Sequence, residues 1–526
     1  MEPVQGRLHF DDFVHDGADR EGIAFRIRID ECRGAVDKGA YQVVEAPFAP
    51  GERVSFSGTV RFMAPSTENA EKVKGQCETG LRWIPSLGAE RTVGFGRLDG
   101  VKIELTTRKI EDQKTTPPSD FSFPLIIRPK SPFCLADRKV GNNLFESKTE
   151  IPGAALAGAL ARTWADLLGK DSCFITNDFD ATRPELCRNF TKIRFLHAFP
   201  APEGSAKRPV RPPLSLVKYK ENEKIHLADM ARKEEAACPE GPPVAPKFDV
   251  DWKERGDVDE YFGWMTPGTE LRVRTAIEKK RRKAADEQLF AYEMVRPDGC
   301  CWIGGVDLSR VGDSDRSKVA EQLAGLFAVG LRGMGKTKVA VDVEVPKKQE
   351  SITSYFPSKA EAENGLWIVT LQTPAILFDP EKLDETSGEA ELRKAYEEIW
   401  EELSDRTLQL SHFYARQSLA GGFYLWKRFQ DGKPYNPYLL TEAGSVFVLK
   451  AKTGKEADGK RMIEKWLKEG LPLPAWAIKK YARNGQKGDH WTNCPYIPEN
   501  GYGEIAVNLP VHDGKLIDLA KKGGAS

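Results

Sequence analysis

The chain has 526 residues, 40% of them hydrophobic, and its 78 lysines and arginines balance 78 aspartates and glutamates. A net charge of zero excludes a global positive field as the means of holding nucleic acid, so any such binding must rest on local clusters. The sequence has no run of about 18 apolar residues, and its start, Met1-Glu-Pro-Val-Gln-Gly, lacks a leader pattern; it therefore reads as a cytoplasmic protein without a membrane partner.

The length predicts roughly three domains. Near the N-terminus, Arg26-Ile-Arg28, Tyr41, Glu45, Pro50-Gly51 and Phe56 precede a glycine turn, Gly88-Ala-Glu-Arg91-Thr-Val-Gly94-Phe-Gly96-Arg97, which runs into Val101, Ile103 and Leu105 at strand spacing. The polar, proline-broken stretch 106–120 reads as a linker that closes a first domain over 1–105. An apolar run, Phe121–Ile127, then leads through a polar loop to Ile151-Pro-Gly153-Ala-Ala-Leu, with proline near a helix start and small residues where that helix must pack closely. A proline- and charge-rich tract at about 200–260 is a long insertion in a second domain, 121–345.

The signature of the first module returns in this second domain. Arg272-Val-Arg274, Phe290, Tyr292, Glu293, Gly299 and Trp302 align with the N-terminal set, so one module is present twice. Its second copy ends in Gly330-Leu-Arg-Gly333-Met-Gly-Lys336-Thr337, which spells the phosphate-loop pattern. A phosphate loop leaves a strand and opens a helix. Here Val319, Leu323, Leu326 and Phe327 predict a helix before the loop, behind a Ser314/Asp315 cap, and Val339, Val341, Val343 and Val345 predict a strand after it. The order is thus reversed, giving a basic glycine turn with Lys336 and Lys338. A second linker at 346–364 precedes a third segment, 365–526, which has a weaker glycine turn near Asn500-Gly-Tyr-Gly503.

Taken together, the strand, polar loop, Ile151-Pro-Gly helix, later strand pair, second helix and glycine turn resemble the RAMP superfamily of CRISPR effector subunits. The motifs are Gly141-Asn-Asn-Leu144, Thr275-Ala-Ile277 with Leu289-Phe290, Ala415-Arg-Gln-Ser-Leu-Ala-Gly-Gly-Phe423 and Ala443-Gly-Ser-Val-Phe447. The resemblance implies an α+β fold of tandem ferredoxin-like, RRM-like domains with long insertions. Residues 120–526 resemble the large subunit of type III-D complexes that caps the 5′ tag of the guide RNA. Residues 6–105 are similar to the C-terminal half of a backbone-forming RAMP subunit, an incomplete domain without the opening strand and Ile-Pro-Gly helix. Another chain is expected to complete it, unless the sequence is a piece of a longer fusion; an incomplete sheet exposes an edge and apolar surface. The implied partners are guide CRISPR RNA, complementary target RNA, other RAMP backbone subunits and the large signalling subunit.

Single-stranded RNA is held by phosphate contacts and by stacking of bases on aromatic or arginine planes. Glycine turns let amides approach phosphates while basic neighbours neutralise charge. The candidate RNA-binding residues are therefore Gly88, Arg91, Gly94, Gly96, Arg97, Gly153, Arg274, Lys279, Arg281, Arg282, Gly333, Lys336, Lys338, Arg416, Gly444 and Ser445. The run Lys279–Lys283 sits where the family carries an extended thumb.

Catalysis has weak candidates in Asp137, in the loop region where relatives carry a cleavage aspartate, and in His412 with Arg416, which could activate a 2′-hydroxyl. The reading is a non-catalytic RNA-binding subunit. The alternatives are a metal-independent endoribonuclease that matures guide RNA and a nucleotide triphosphatase using Gly330–Thr337. No cofactor is expected. Nine cysteines without C-x-x-C spacing read as reduced thiols, and Cys173, Cys187, Cys300 and Cys301 lack zinc spacing.

Overall fold

The computed structural model describes residues 8–11, 13–15, 17, 22–30, 32–49, 51–62, 64, 67–88, 96–106, 122–140, 143–221, 224–232, 255–277, 284–346, 353–382, 388–429, 436–481, 493–513 and 517–518. The chain divides into two compact units, Met1–Lys109 and Ile110–Ser526.

In the first unit, β1 (Ile23–Ile29) and β2 (Val36–Glu45) form an antiparallel hairpin, followed by α1 (Thr67–Arg82). β-branched and aromatic residues at alternate positions suit a pleated ribbon. Phe25, Ile27, Tyr41 and Val43 nevertheless stand exposed, and α1 buries no residue. Among the described residues of this unit, no apolar side chain is buried.

The second unit is built very differently. It opens with β3 (Ser122–Pro129), β4 (Ala136–Val140), β5 (Leu144–Ser147) and α2 (Gly153–Leu167). There follow β6 (Arg194–Phe195), β7 (Phe199–Pro202), a long hairpin of β8 (Thr269–Ile277) and β9 (Ala284–Val295), and β10 (Cys300–Asp307). Then come α3 (Asp313–Ala328), β11 (Leu331–Met334) and β12 (Val339–Glu344). The main sheet runs β6, β10, β3, β12, β11, with β7 also on β10. Two helices packed on a sheet of this order form a ferredoxin-like βαββαβ layer. In β3 the buried positions alternate, Phe123, Leu125 and Ile127 facing Leu156, Leu160 and Trp164 of α2 and Leu323 and Phe327 of α3 in one core. Helix α3 starts at Asp313 behind Gly312, so the Ser314/Asp315 cap expected from sequence lies inside its first turn.

The pattern repeats. β13 (Leu366–Leu371), α4 (Glu389–Leu403), β14 (Leu408–Tyr414), β15 (Val446–Ala451), α5 (Glu456–Glu469) and β16 (Ile505–Val507) make a second sheet in the order β14, β15, β13, β16. Trp400 and Trp466, both fully buried, meet over it at 5.6 Å between ring centroids. The fold is α+β with tandem ferredoxin-like layers.

The segments read from sequence as a long insertion and as the second linker are packed where described. In the 200–260 tract, Leu216–Glu221 pairs with Lys224–Asp229, and Val210, Leu216 and Leu227 join Phe262 and Val511 in a third core. From the second linker, Thr353 pairs with Lys207, and Tyr355 and Phe356 pack against that same core. The tract thereby ties the halves of the unit together. Arg208 meets Glu504, Arg211 meets Glu150 and donates its amide to Gln372 Oε1 at 2.8 Å, and the Arg194 guanidinium donates to the carbonyls of Pro498 and Lys468.

Candidate nucleic-acid interface

The long hairpin has two chemically distinct faces, because alternate residues of a strand point to opposite sides. Leu271, Val273 and Leu289 are exposed on one. On the other, Arg272 is opposite Tyr292 and Arg274 is opposite Phe290. Strand β5 runs parallel to β9 and sets Phe145 beside Tyr292, with rings stacked at 5.5 Å and 28°; Phe290 meets Tyr292 edge-on at 5.4 Å. Lys336 lies 3.7 Å above the Phe145 ring and 5.8 Å from that of Tyr292, while the Arg274 guanidinium is 5.6 Å from Tyr292. The result is a half-exposed aromatic platform rimmed by cations. Burial pushes the Tyr292 phenol up against the opposing pull of Arg274, so the ring stays neutral.

Lys336 reaches this platform because the glycine turn is a tight β11–β12 hairpin docked on the main sheet. Gly333, Gly335 and Lys338 adopt positive φ (74°, 69° and 58°). A Cβ on Gly335 would stand 2.5 Å from the Cys134 carbonyl. The Lys336 amide donates to that carbonyl at 2.9 Å, and Thr337 Oγ1 accepts from the Cys134 amide at 3.2 Å. A phosphate loop would turn these groups toward a nucleotide and continue as a helix. Here they bind Cys134 and continue as β12, which corrects the triphosphatase alternative.

Other candidates are placed differently. Gly153 is buried at the start of α2, where a Cβ would fall 1.8 Å from the Phe195 carbonyl; close packing explains that glycine. Gly444 is held likewise, at φ 87°, where a Cβ would stand 2.7 Å from the Pro212 carbonyl. Ser445 is fully buried, its Oγ accepting from the Arg416 amide at 3.3 Å, and the Arg416 guanidinium is paired with Glu442. Close packing accounts for the glycines at 153 and 444 and for the buried Ser445. In the first unit, Leu87 donates to the Gly96 carbonyl at 2.8 Å, Ser86 bridges Arg97, and Gly88, Gly96 and Arg97 are exposed. Arg91, Gly94, Lys279, Arg281 and Arg282 lie outside the described residues.

The cleavage candidates are engaged structurally. His412 Nε2 donates to the Ala231 carbonyl at 2.7 Å, and Nδ1 lies 3.2 Å from the Ser411 hydroxyl, so both ring nitrogens have partners within the chain. Asp137 pairs with Lys148 at 3.1 Å on exposed β4. For Lys148, burial opposes the charge, but Asp137 and Glu150 outweigh it and hold the ammonium above its ordinary range. Burial pushes the Cys300 thiol up to about 11, and among the described residues no three His, Cys, Asp or Glu side chains gather as a metal site.

Sequence reasoning missed Phe145 altogether and read Tyr292 only as a repeat marker and Phe290 as a repeat marker and part of a family motif, not as RNA-stacking rings. The period of two at 290 and 292 was the available signal; Phe145 joins them through a strand pairing that spacing does not reveal. It also missed a buried relay in which His512 Nδ1 meets Asp229 Oδ2 at 2.8 Å and Nε2 meets Thr370 Oγ1 at 3.2 Å.

Comparison with known proteins finds no match among curated proteins. Among solved structures, a chain of the type III-B Cmr-beta complex bound to cognate target RNA and AMPPnP is 12% identical, with 75% of this chain and 99% of that chain covered and a TM-score of 0.34. A chain of the Csm3–Csm4 subcomplex of the type III-A interference complex is 13% identical (62% and 92% covered, TM-score 0.28), and one of a type IV-B CRISPR complex is 11% identical (43% and 90%, TM-score 0.20). The family model described as "CRISPR-associated protein (Cas_Cmr3)" matches residues 124–485, which span α2, the long hairpin, the platform and most of the second ferredoxin-like layer. On that match the chain belongs to the CRISPR-associated Cas_Cmr3 family, a RAMP-superfamily effector subunit.

Proposed function

We propose that this chain is a non-catalytic, RNA-binding subunit of a type III CRISPR ribonucleoprotein effector in the cytoplasm, with III-D-like specialisation. It grips the single-stranded 5′ tag of the guide RNA and caps the backbone of RNA-binding subunits beside the large signalling subunit and the target RNA. The observation that carries this reading is the Phe145–Tyr292 platform with Lys336 over it. An unpaired base stacks on such rings, each worth about 1–3 kcal/mol, while lysine and arginine neutralise the adjoining phosphates. Lys338, Arg274, Gly88, Gly96 and Arg97 supply further backbone contacts in this reading. Engagement of both His412 nitrogens and of Arg416 supports a binding role over cleavage.

The test is to purify the chain, with its neighbouring subunits, from cells expressing a CRISPR array and to sequence the RNA that accompanies it. Guides sharing one repeat-derived 5′ end, depleted in Phe145→Ala plus Tyr292→Ala, support the reading. RNA of random ends, or none, overturns it.

A further inference from the structure

Strands β8, β9, β5 and β4 form one sheet in that order, so Tyr292 on β9 has β8 on one flank and Phe145 of β5 on the other. The rings of the platform are not equally open. An atom 3.7 Å from a ring centroid can lie only over the face of that ring, so the Lys336 ammonium covers Phe145. The Phe145 and Tyr292 rings, 5.5 Å apart, are slipped past one another, since full overlap would bring them to about 3.5–4 Å. Phe290 meets Tyr292 only by its edge. The half-buried Tyr292 thus keeps a face of its own, from which the cations stand back, Lys336 at 5.8 Å and the Arg274 guanidinium at 5.6 Å. A base stacked about 3.5 Å above this ring lies between them, with the guanidinium at its edge.

The rim of this seat consists of donors, because lysine and arginine carry N–H groups and no acceptor. On the same face of β8, Arg272 is spent on Glu270, Nε to Oε1 at 2.6 Å. The exposed Arg274 has its ring contact and no ion pair among the described residues. Glu293 lies on the other face of the sheet, opposite Leu271. A donor rim selects a base with two neighbouring acceptors on a free edge. Guanine has them in O6 and N7, the pair that arginine binds bidentately, whereas adenine sets its N6 donor beside N7. The acceptors of uracil are separated by a donor, and the adjacent pair of cytosine lies beside the sugar.

We propose that Tyr292 seats one unpaired guanine of the bound RNA, with Arg274 on its O6 and N7 and Lys336 on an adjoining phosphate. Phe145 braces Tyr292 and holds Lys336 at the edge of the seat. The proposal names the base for the effector reading above and rests on that reading.

The experiment irradiates the effector complex, purified through this chain with its guide RNA, with ultraviolet light and identifies by mass spectrometry the nucleotide joined to the peptide that holds Tyr292. A guanine is expected in wild type and no adduct in Tyr292→Ala. That guanine is then changed to adenine in the repeats of the array, and guide recovery is compared for wild type and Arg274→Lys, which keeps the charge and loses the planar fork. The change is expected to lower recovery by about tenfold or more in wild type and to make no difference in Arg274→Lys. Equal melting temperatures of the two chains control for folding. An adduct with another base, or equal recovery of both guides in wild type, overturns the guanine. A tenfold fall in Arg274→Lys as well overturns Arg274 as its reader. A guide-loaded complex with no adduct at Tyr292 overturns the seat, and each of these outcomes leaves the effector reading intact. A chain that recovers no guide RNA overturns the effector reading and the seat with it.

Discussion

Arg208 grips Glu504 through both guanidinium ends, Nη1 to Oε1 at 2.5 Å and Nη2 to Oε2 at 2.9 Å, across 296 residues of sequence. Both groups are largely buried, at 16% and 14% side-chain exposure. The same guanidinium lies 4.4 Å from the Phe199 ring and donates to the His197 carbonyl. Removing one partner strands a charge, so Arg208→Met is expected to cost about 3–5 kcal/mol, with Arg208→Met plus Glu504→Leu costing much less. Urea unfolding of the single and double variants measures this.

The neighbourhood of that pair also predicts a pH profile. Burial, with Lys148 and Arg208 nearby, holds His197 down from 6.5 to about 4, and no hydrogen bond reaches either ring nitrogen. The unfolded histidine takes up its proton first, so stability present above pH 6.5 declines as pH falls toward 4. For Glu150, burial opposes ionisation, but Arg211 and Lys148 outweigh it and lower the carboxyl from 4.5 to about 2. Its contribution persists above 4.5 and is lost as pH falls through about 2. Thermal melts from pH 8 to 2 should show both limbs; His197→Phe flattens the first and Glu150→Gln the second.

At the platform, Tyr292→Ala is expected to weaken binding of a repeat-derived RNA by about 1–3 kcal/mol with little change in salt dependence. Lys336→Ala should instead reduce the slope of affinity against salt by about one. Fluorescence titrations at several salt concentrations separate the two.

Because the phosphate-loop letters serve packing, Gly335→Ala should destabilise the protein by about 1–3 kcal/mol through its clash with Cys134. ATP with magnesium should raise the melting temperature of neither wild type nor Lys336→Ala. A nucleotide-dependent shift in wild type would contradict this.

His412→Ala should lower stability by about 1–2 kcal/mol by leaving the Ala231 carbonyl unpaired, and should leave guide RNA ends unaltered. Unfolding curves and sequencing of bound RNA check the two halves of this prediction.

Local signals were readable because their periods are short. The spacing of Val319, Leu323 and Phe327 announced α3, and the valines from 339 announced β12, whereas β11 was too short to register beside the turn glycines. The duplication was visible, but matching Arg26-Ile-Arg28 to Arg272-Val-Arg274 was two residues off. Pairing aligns Arg26 with Arg274, and an alternating strand gives equally good letters at both settings. Glycines at 153 and 444 carried no mark separating close packing from ligand approach. Arg208 with Glu504, His512 with Asp229 and Lys336 with Phe145 are joined only by the tertiary fold, and no spacing rule reaches so far.

The segment from Pro498 to Asp513 finishes three structures at once. It lays β16 on the second sheet, fills the third core with Ala506, Leu509 and Val511, and brings Glu499 to Arg310 and Glu504 to Arg208 in the first half. During synthesis, the earlier layer therefore waits with Arg194, Arg208 and His197 uncovered until this late stretch clears the ribosome. A product stopped short of Glu504 would carry an open, charged seam where Arg208 and Arg310 lack their carboxylate partners or lose the strand that holds them.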